Sequence, residues 1–546
     1  MEAEVARRRR AREAAEYYCS QDVPRRLEEA LNALFPLRPA DLYGDLANCF
    51  SKFSKAPVIC KLVGRKVLDG VGRPTLEVEI YCIIKNYEKR VCSTVISSDS
   101  QILENALSEA TEADEKERND SVNTAVEWVN ESLNTLLRDL KPTEQCEVDK
   151  ILGEYFTKKV EEEKEIQKEK EEEEEEDAPP PPSCVPPTTA LSGGKKASAL
   201  HLAGKMVSGA ERTISPAEPM ESVLRGSSAI GATSLAAAKA GATISHIPLY
   251  LYIALLKHDQ DLPKELTVPL PMVSLLNCGK FSPGKLKLMK EIMLIPPVHL
   301  SLKESIERIL DIQKEVVKLL EAAGKGPSPQ LADKKKSGAR GTGKKVLPSA
   351  IKRISHLGCL IMGFDNLEQP LLLMQAACSN IGLELGADMY LAINCAAHEL
   401  IDYVSIFNPS SIRDSFLQDR QQWDKVCYAL GSQCYLLAED AATRISRLVT
   451  DRDMNLPKCS GAVLKYVNQT KVSDLLELTG LLHGQRHITI LGSPDGESSD
   501  DSLVDLAVGL GAKFIKLGGL CRGERVTKYN RLLAIEEELA KNSTLR

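Results

Sequence analysis

Residues 514–525 read Phe-Ile-Lys-Leu-Gly-Gly-Leu-Cys-Arg-Gly-Glu-Arg and lead into a leucine- and glutamate-rich segment that runs to residue 539. The first four residues form a short apolar run interrupted by Lys516, which is typical of a buried strand with one charge near its carboxyl end. The glycines that follow predict a loop, and the amphipathic segment beyond them predicts a helix. We therefore predict a strand, a charged loop and a final helix over this stretch.

The same alternation of short apolar runs and amphipathic segments extends back to Val268. Met293–Pro296 and Ala462–Lys465 are further candidate strands. Such alternation is typical of an α/β barrel, and we assign residues 268–546 to this domain. A segment rich in Lys, Gly and Ser, residues 325–346, interrupts it. Its composition favours a flexible linker, with a nucleic-acid contact as the alternative.

Composition limits the possible classes of protein. A chain of 546 residues is too long for one ordinary core, so we expect two or three domains with linkers. The net charge of −7 argues against a nucleic-acid-binding protein. Fifteen cysteines without Cys-x-x-Cys spacing indicate reduced thiols in a cytoplasmic protein. We expect no secretory signal and no membrane span, because no apolar run approaches about 18 residues.

The N-terminal residues predict two short amphipathic helices after a charged, exposed helix over residues 1–19. Val23-Pro24 is a typical helix start. The apolar residues repeat with helical spacing in each segment; they are Leu27, Leu31 and Leu34 in the first and Leu42, Leu46, Phe50 and Phe53 in the second. Two helices of this length cannot bury these faces alone, so a second copy is implied.

Residues 17–55 resemble the docking-and-dimerisation motif of the Dpy-30 and regulatory-subunit type. The resemblance lies in Tyr17–Leu27, Leu37–Leu42 and Leu46–Phe50. It implies an X-shaped four-helix bundle that binds an amphipathic anchoring helix of a partner. The alternative is a plain helical hairpin packed on the main body.

The region between this module and the barrel predicts an α+β domain, residues 57–267. Residues 60–96 alternate like strands, with a turn near Gly70, and helical segments follow near 121–140 and 143–160. Residues 161–177 are nearly all Glu and Lys and precede a run of prolines. This pattern predicts a solvated helix that runs into a disordered linker, giving an insertion over about 161–225.

Three features together resemble the enolase family. They are the hairpin around residues 67–80, the small-residue segment Ala236–Ala242 with the turn at Ile247–Tyr250, and the carboxyl-terminal residues 496–539. The resemblance covers about residues 60–155 and 226–546. It implies an α+β capping domain followed by an eightfold α/β barrel of the TIM type. It also implies magnesium-dependent conversion of 2-phosphoglycerate to phosphoenolpyruvate, and dimers formed through the capping domain.

The resemblance assigns roles to several residues. Lys465 matches the base, Lys516 the lysine that contacts the substrate carboxylate, and Glu291 a helper acid. Ser100 matches the serine of the substrate lid. Two Mg²⁺ ions and a lysine are needed to stabilise the carbanion, because a proton next to a carboxylate is very weakly acidic.

Other family positions have changed. Of the three metal carboxylates, the first is Asn394 and the second is Phe407, and only the third, Glu439-Asp440, keeps an acid. Mg²⁺ prefers anionic oxygen, so this set predicts weak binding. The stretch Gly358–Phe364 lacks the family's acid, and Gly492–Asp495 replaces its phosphate clamp and puts an anion there.

Two functional classes follow. The first is an enolase-type enzyme whose activity is weak or absent. The second is a non-catalytic docking protein tethered to a cytoskeletal, ciliary or flagellar scaffold. In either case the expected partners are a second copy or other enolases in a mixed oligomer, with a phosphoglycerate-like anion as the expected ligand.

Overall fold

The computed structural model describes residues 2–97, 108–176, 224–258, 265–279, 282, 284–286, 289–324, 353–395, 428–439 and 459–541. The second insertion, residues 325–346, lies outside these ranges. No helix within them combines the length and apolar character needed to cross a lipid bilayer.

Three helices form the N-terminal segment: α1 (Glu2–Ser20), α2 (Val23–Leu34) and α3 (Leu42–Ser51). Asp41 caps α3, where its Oδ1 accepts a hydrogen bond of 2.9 Å from the backbone N–H of Gly44. The predicted helices are confirmed, and although Ala30 and Leu34 are buried, much of the apolar surface is exposed. Leu27 and Leu31 remain 43% and 45% exposed.

The capping domain begins with a three-stranded antiparallel sheet in sequential order. Its strands are β1 (Val58–Leu68), β2 (Pro74–Ile84) and β3 (Tyr87–Val95). The turn between β1 and β2 is held by Asp69, whose Oδ1 accepts from the backbone N–H groups of Val71 and Arg73. The predicted hairpin is therefore present.

Helical segments follow this sheet in the chain, and several of them pack against it. They are α4 (Ser108–Trp128), a π-turn (Val129–Leu133), α5 (Asn134–Leu136), α6 (Gln145–Glu176), α7 (Ser228–Ile244) and α8 (Leu249–Lys257). The helix expected at the start of the first insertion is the carboxyl-terminal part of α6. Small side chains let α7 pack closely, and most of its residues are buried.

The second domain contains an eight-stranded sheet that curls into a half-barrel. Its strands are β4 (Leu270–Asn277), β5 (Glu291–Ile295), β6 (Leu360–Ile361), β7 (Tyr390–Asn394), β8 (Leu437–Ala438), β9 (Gly461–Leu464), β10 (Ile488–Gly492) and β11 (Phe514–Gly518). The order is β7-β5-β4-β11-β10-β9-β8, with β6 paired to β4. The two ends of the sheet are β7 and β8, and residues 396–427, which connect them, lie outside the described ranges.

Strand β5 departs from the all-parallel barrel that alternation alone suggests, since it runs antiparallel to both β4 and β7. Residues 278–290 join β4 to β5, and the described residues of this link form bends and irregular backbone, so the chain returns as an antiparallel neighbour. As a consequence, β5 begins at the sheet edge where its neighbours end.

Helices pack outside the sheet: α9 (Leu302–Gly324), α10 (Glu368–Asn380), α11 (Val472–Gly484), α12 (Ser502–Gly509) and α13 (Gly523–Lys541). The final helix is amphipathic as predicted, with Tyr529, Leu532 and Ile535 buried against the sheet. Inside the curl, a smaller apolar layer of Met272, Met293, Val463, Ile490 and Phe514 fills the barrel interior.

Candidate functional site

Charged side chains converge at one edge of the half-barrel. Lys465 directly follows β9, Glu439 directly follows β8, and Asn394 is the last residue of β7. Glu291 is the first residue of β5, and because that strand is antiparallel it pairs in register with Asn394. Lys516 in the middle of β11 extends its side chain to the same place. The sheet topology thus brings together five residues that lie far apart in the sequence.

Glu291 is the most buried member of the cluster, with 1% of its side chain exposed. Its Oε2 accepts a hydrogen bond of 2.6 Å from Ser274 Oγ, and its Oε1 accepts one of 2.8 Å from Asn394 Nδ2. Lys516 Nζ lies 2.7 Å from the same Oε1. Burial would raise the pKa of Glu291, but Lys516 and these donors outweigh it and lower the pKa.

Glu439 binds two lysines. Lys516 Nζ lies 2.9 and 3.0 Å from its two oxygens, and Lys465 Nζ lies 2.5 Å from Oε1. Burial would raise the pKa of Glu439, but the two ammonium groups hold it far below its ordinary value. For Lys516 burial acts to lower the pKa, and the two glutamates raise it overall, so it stays charged.

The residues beside Lys465 leave space for its side chain and determine the backbone conformation of the loop that follows. At Gly492, the last residue of β10, a Cβ would lie 2.9 Å from Val463 Cγ1 and 3.5 Å from Lys465 Cγ. Tyr466 adopts the left-handed conformation with φ of 56°. A single residue in this conformation reverses the chain just after Lys465.

The loop after Tyr466 ties the barrel to the capping domain. Asn468 Oδ1 accepts a 2.9 Å hydrogen bond from Ser97 Oγ, and Gln469 Nε2 donates to the Ser97 carbonyl at 2.8 Å. The strand that carries Lys465 is therefore connected, within a few residues, to the end of the capping sheet.

The rim of the site carries Lys290 and Asp495, with Lys290 Nζ 4.0 Å from Asp495 Oδ2. Lys290 is 18% exposed and Asp495 is 53% exposed. Partial burial would raise the pKa of Asp495, but Lys290 and Lys465 lower it on balance. This carboxylate is the anion that the sequence places where the family holds phosphate.

The stretch Gly358–Phe364, which lacks the family's acid, contains a buried thiol. Cys359, beside β6, is fully buried, and burial raises its pKa to about 12. Ser355 Oγ lies 3.1 Å from its Sγ. A thiol with this pKa stays protonated at neutral pH and is a poor proton donor.

Three candidate site residues, Ser100, Phe407 and Asp440, lie outside the described ranges. Within those ranges no group of three or more His, Cys, Asp or Glu side chains is arranged to hold a metal ion. Sequence reasoning missed Ser274, which binds Glu291. Ser274 could have been singled out in the sequence as a lone hydroxyl side chain within the apolar run of β4.

A capping sheet before a curled barrel with one reversed strand, and two lysines that converge at one edge of that barrel, agree with the class suggested by the sequence. Residues 364–546 match the family model for the enolase C-terminal TIM barrel domain. The chain is 50% identical to Enolase 4 of Homo sapiens over 560 residues, covering 98% of this chain and 88% of that protein.

Enolase 4 of Mus musculus is also 50% identical, over 96% of this chain and 89% of that protein. Enolase 4 of Danio rerio is 36% identical, over 96% of this chain and 90% of that protein. The chain belongs to the enolase family, which confirms the resemblance found in the sequence.

Proposed function

We propose that this site performs enolase-type dehydration of 2-phosphoglycerate at a strongly reduced rate. The observation that carries the proposal is the sharing of one carboxylate, Glu439, by Lys465 and Lys516. The lysines of the family reaction are retained and close together, while the anionic groups around them are fewer than that reaction requires.

In this proposal Lys465 takes the proton from the carbon next to the substrate carboxylate, and the electron pair left behind forms the double bond as hydroxide leaves the neighbouring carbon into solvent. Lys516, held by Glu291 and Glu439, stabilises the negative charge that then develops on that carboxylate. A base must be uncharged before it accepts a proton, and the 2.5 Å contact with Glu439 stabilises the charged form of Lys465. This contact is one physical reason for a slow reaction.

The described residues do not fit Mg²⁺. The ion requires several anionic or carbonyl oxygens in near-octahedral geometry. Among the described residues Glu439 is the only carboxylate at a family metal position, and two ammonium groups already occupy it. Asn394 offers a neutral amide, whose Nδ2 is committed to Glu291. Loss of the charge compensation that the ions provide is the second reason for a low rate.

The test is an assay of the purified full chain with 2-phosphoglycerate and Mg²⁺, with an active enolase assayed alongside. We expect weak turnover that Lys465→Ala abolishes. The matched control is Lys471→Ala, which removes a lysine six positions later that pairs with Asp474 at 3.2 Å. Turnover equal to that of the active enolase, or weak turnover that survives Lys465→Ala, contradicts the proposal.

The second candidate is a docking role for the N-terminal helices. Phe35, Leu37 and Tyr43 are 76%, 73% and 83% exposed, in addition to the open faces of α2 and α3. Exposed apolar residues at this density are typical of a surface that a second copy or an anchoring helix covers. Such contacts would tether the chain to a cytoskeletal, ciliary or flagellar scaffold.

Deletion of residues 1–56 tests this role by light scattering of the purified protein. We expect the full chain to form an oligomer that becomes smaller on deletion. An unchanged number of chains per particle would show that another surface sets the oligomer. Complete absence of turnover in the assay above, together with a smaller particle here, would favour the docking role over the enzyme.

A further inference from the structure

Within the part of the chain that the structure describes, three lysines and three carboxylates lie at the mouth of the half-barrel. Lys516 lies deepest and contacts both Glu291 and Glu439. Lys465 contacts Glu439, and Lys290 lies beside Asp495 at the rim. Each of these lysines lies within 4.0 Å of a carboxylate, so an incoming anion must compete with a carboxylate that is already present.

Asp495 is the carboxylate best placed for such competition. Glu291 and Glu439 are 1% and 14% exposed and each is bound by close hydrogen bonds. Asp495 is 53% exposed, and its nearest lysine is 4.0 Å away. It thus meets a ligand at the rim before the ligand reaches the deeper lysines.

The backbone of Asp495 is fixed from below. Arg525, which is fully buried, donates from one guanidinium nitrogen to the carbonyls of Pro494 at 2.8 Å and Asp495 at 3.2 Å. The backbone N–H of Ser493 donates to the Lys516 carbonyl at 2.8 Å. With the loop anchored at both points, the carboxylate cannot withdraw from the lysines by a shift of its backbone without breaking these bonds.

The charge on Asp495 persists at neutral pH. Partial burial favours the neutral acid, but Lys290, Lys465, Arg525 and Lys516 together lower its pKa below the ordinary value of 3.8. A ligand that carries a phosphate at this rim therefore meets one full negative charge.

We propose that Asp495 determines specificity by acting as an internal anion. It competes with the phosphate of a small phosphorylated carboxylate for the lysines at the mouth of the half-barrel. The inference rests on the proposed function for the ligand class. It adds that the resting protein is self-inhibited toward that ligand, and that removal of a single charge relieves the inhibition.

The experiment is isothermal titration of 2-phosphoglycerate into the full chain and its Asp495→Asn variant. Asparagine keeps the backbone carbonyl that Arg525 binds and nearly the same side-chain volume. We expect the variant to bind at least about tenfold more tightly, as removal of one like charge from a half-exposed site permits. The difference should shrink as salt is raised from 0.05 to 0.5 M, since exposed charges are screened.

The control variant is Asp311→Asn, which removes the same charge from the outer helix α9, where Asp311 pairs with Lys314 at 2.9 Å. It should leave the affinity unchanged. Equal affinity of the wild-type chain and Asp495→Asn, or equal tightening by both variants, overturns the proposal.

The result is distinguishable from a failure of the proposed function, because the titration needs no turnover. Tighter binding by Asp495→Asn without any product supports the inference and contradicts the enzyme. Measurable turnover with an unchanged KM in Asp495→Asn supports the enzyme and overturns the inference.

Discussion

The ammonium group of Lys516 lies 2.9 and 3.0 Å from the two carboxylate oxygens of Glu439, and the two side chains are only 5% and 14% exposed. Charges buried this deeply must be paired, because removing them from water costs several kcal/mol each. Lys465 and Glu291 extend the pair into a row in which positive and negative groups alternate. Each member is therefore stable only while its neighbours keep their charges.

Glu439→Gln should destabilise the protein by about 3–5 kcal/mol, because it leaves two lysines facing each other without their shared counter-charge. The free energy of unfolding in urea measures the effect. Glu384→Gln, at an exposed position beyond α10, should change it by less than about 0.5 kcal/mol. Equal stability of the two variants would show that Glu439 is not required to neutralise the lysines.

The free energy of unfolding should fall on acidification, and Glu439 should account for part of that fall. The pKa of Glu439 is lowered in the folded protein relative to the ordinary value of 4.5, so the stabilisation by its charge is fully present above about pH 4.5. The contribution is lost as pH falls from there through the folded pKa, because the unfolded chain then binds the proton first. The difference in unfolding free energy between wild type and Glu439→Gln should be constant from pH 7 to about 5.5 and shrink below pH 4.5. A constant difference down to pH 3 would contradict this assignment.

The sequence predicts the members of this row but not their contacts. The apolar run before Lys465 indicates its place after a strand, and the family resemblance singles out Glu439 and Lys516, of which Lys516 lies in the middle of β11. The pairing of Glu291 with Asn394 depends on the reversed direction of β5, which a count of alternating runs does not reveal.

The barrel strands near residues 293, 462 and 514 were likewise predictable from local apolar runs. The contact between the two domains was not predictable, because it is formed by polar residues that carry no periodic pattern. Asp149 lies in α6 and Ser234 in α7, while their partners lie at the start of α11, more than 200 residues further along the chain. Such contacts depend on how the two domains pack together, which no local sequence pattern specifies.

Asp149→Ala should cost about 2–3 kcal/mol of stability. The Asp149 carboxylate accepts from the backbone N–H of Ser473 at 2.8 Å and from Ser234 Oγ at 2.5 Å, so it caps a barrel helix from the capping domain. Thermal unfolding of the full chain provides the measurement. A loss below about 0.5 kcal/mol would show that water replaces the carboxylate.

Asp149→Asn should be tolerated better than Asp149→Ala, because an amide oxygen can accept one of these bonds without charge. Burial raises the pKa of Asp149 above 3.8 despite its donors, so the folded state disfavours the ionised form. The wild-type contribution is therefore greatest below pH 3.8 and is lost as pH rises through the folded pKa. As pH rises through that folded pKa, the unfolding free energy of Asp149→Asn should increase relative to that of wild type. The unfolding free energy of the exposed control Asp311→Asn should not.

Gly231→Ala should separate helix α7 from the loop that follows Lys465. A Cβ at Gly231 would overlap the backbone of Gln469 and Thr470, and neither backbone can move without disturbing the 2.8 Å bond from Gln469 to Ser97. We expect a loss of about 1–3 kcal/mol in the free energy of unfolding, the usual cost of overpacking.

Gly480→Ala is the matched control, because Gly480 lies within α11 with no atom within 4 Å of the added carbon. It should stabilise the protein by about 0.5–1 kcal/mol, since alanine favours the helix. Losses of equal size in both variants would show that helix propensity, not the contact with the Lys465 loop, governs Gly231.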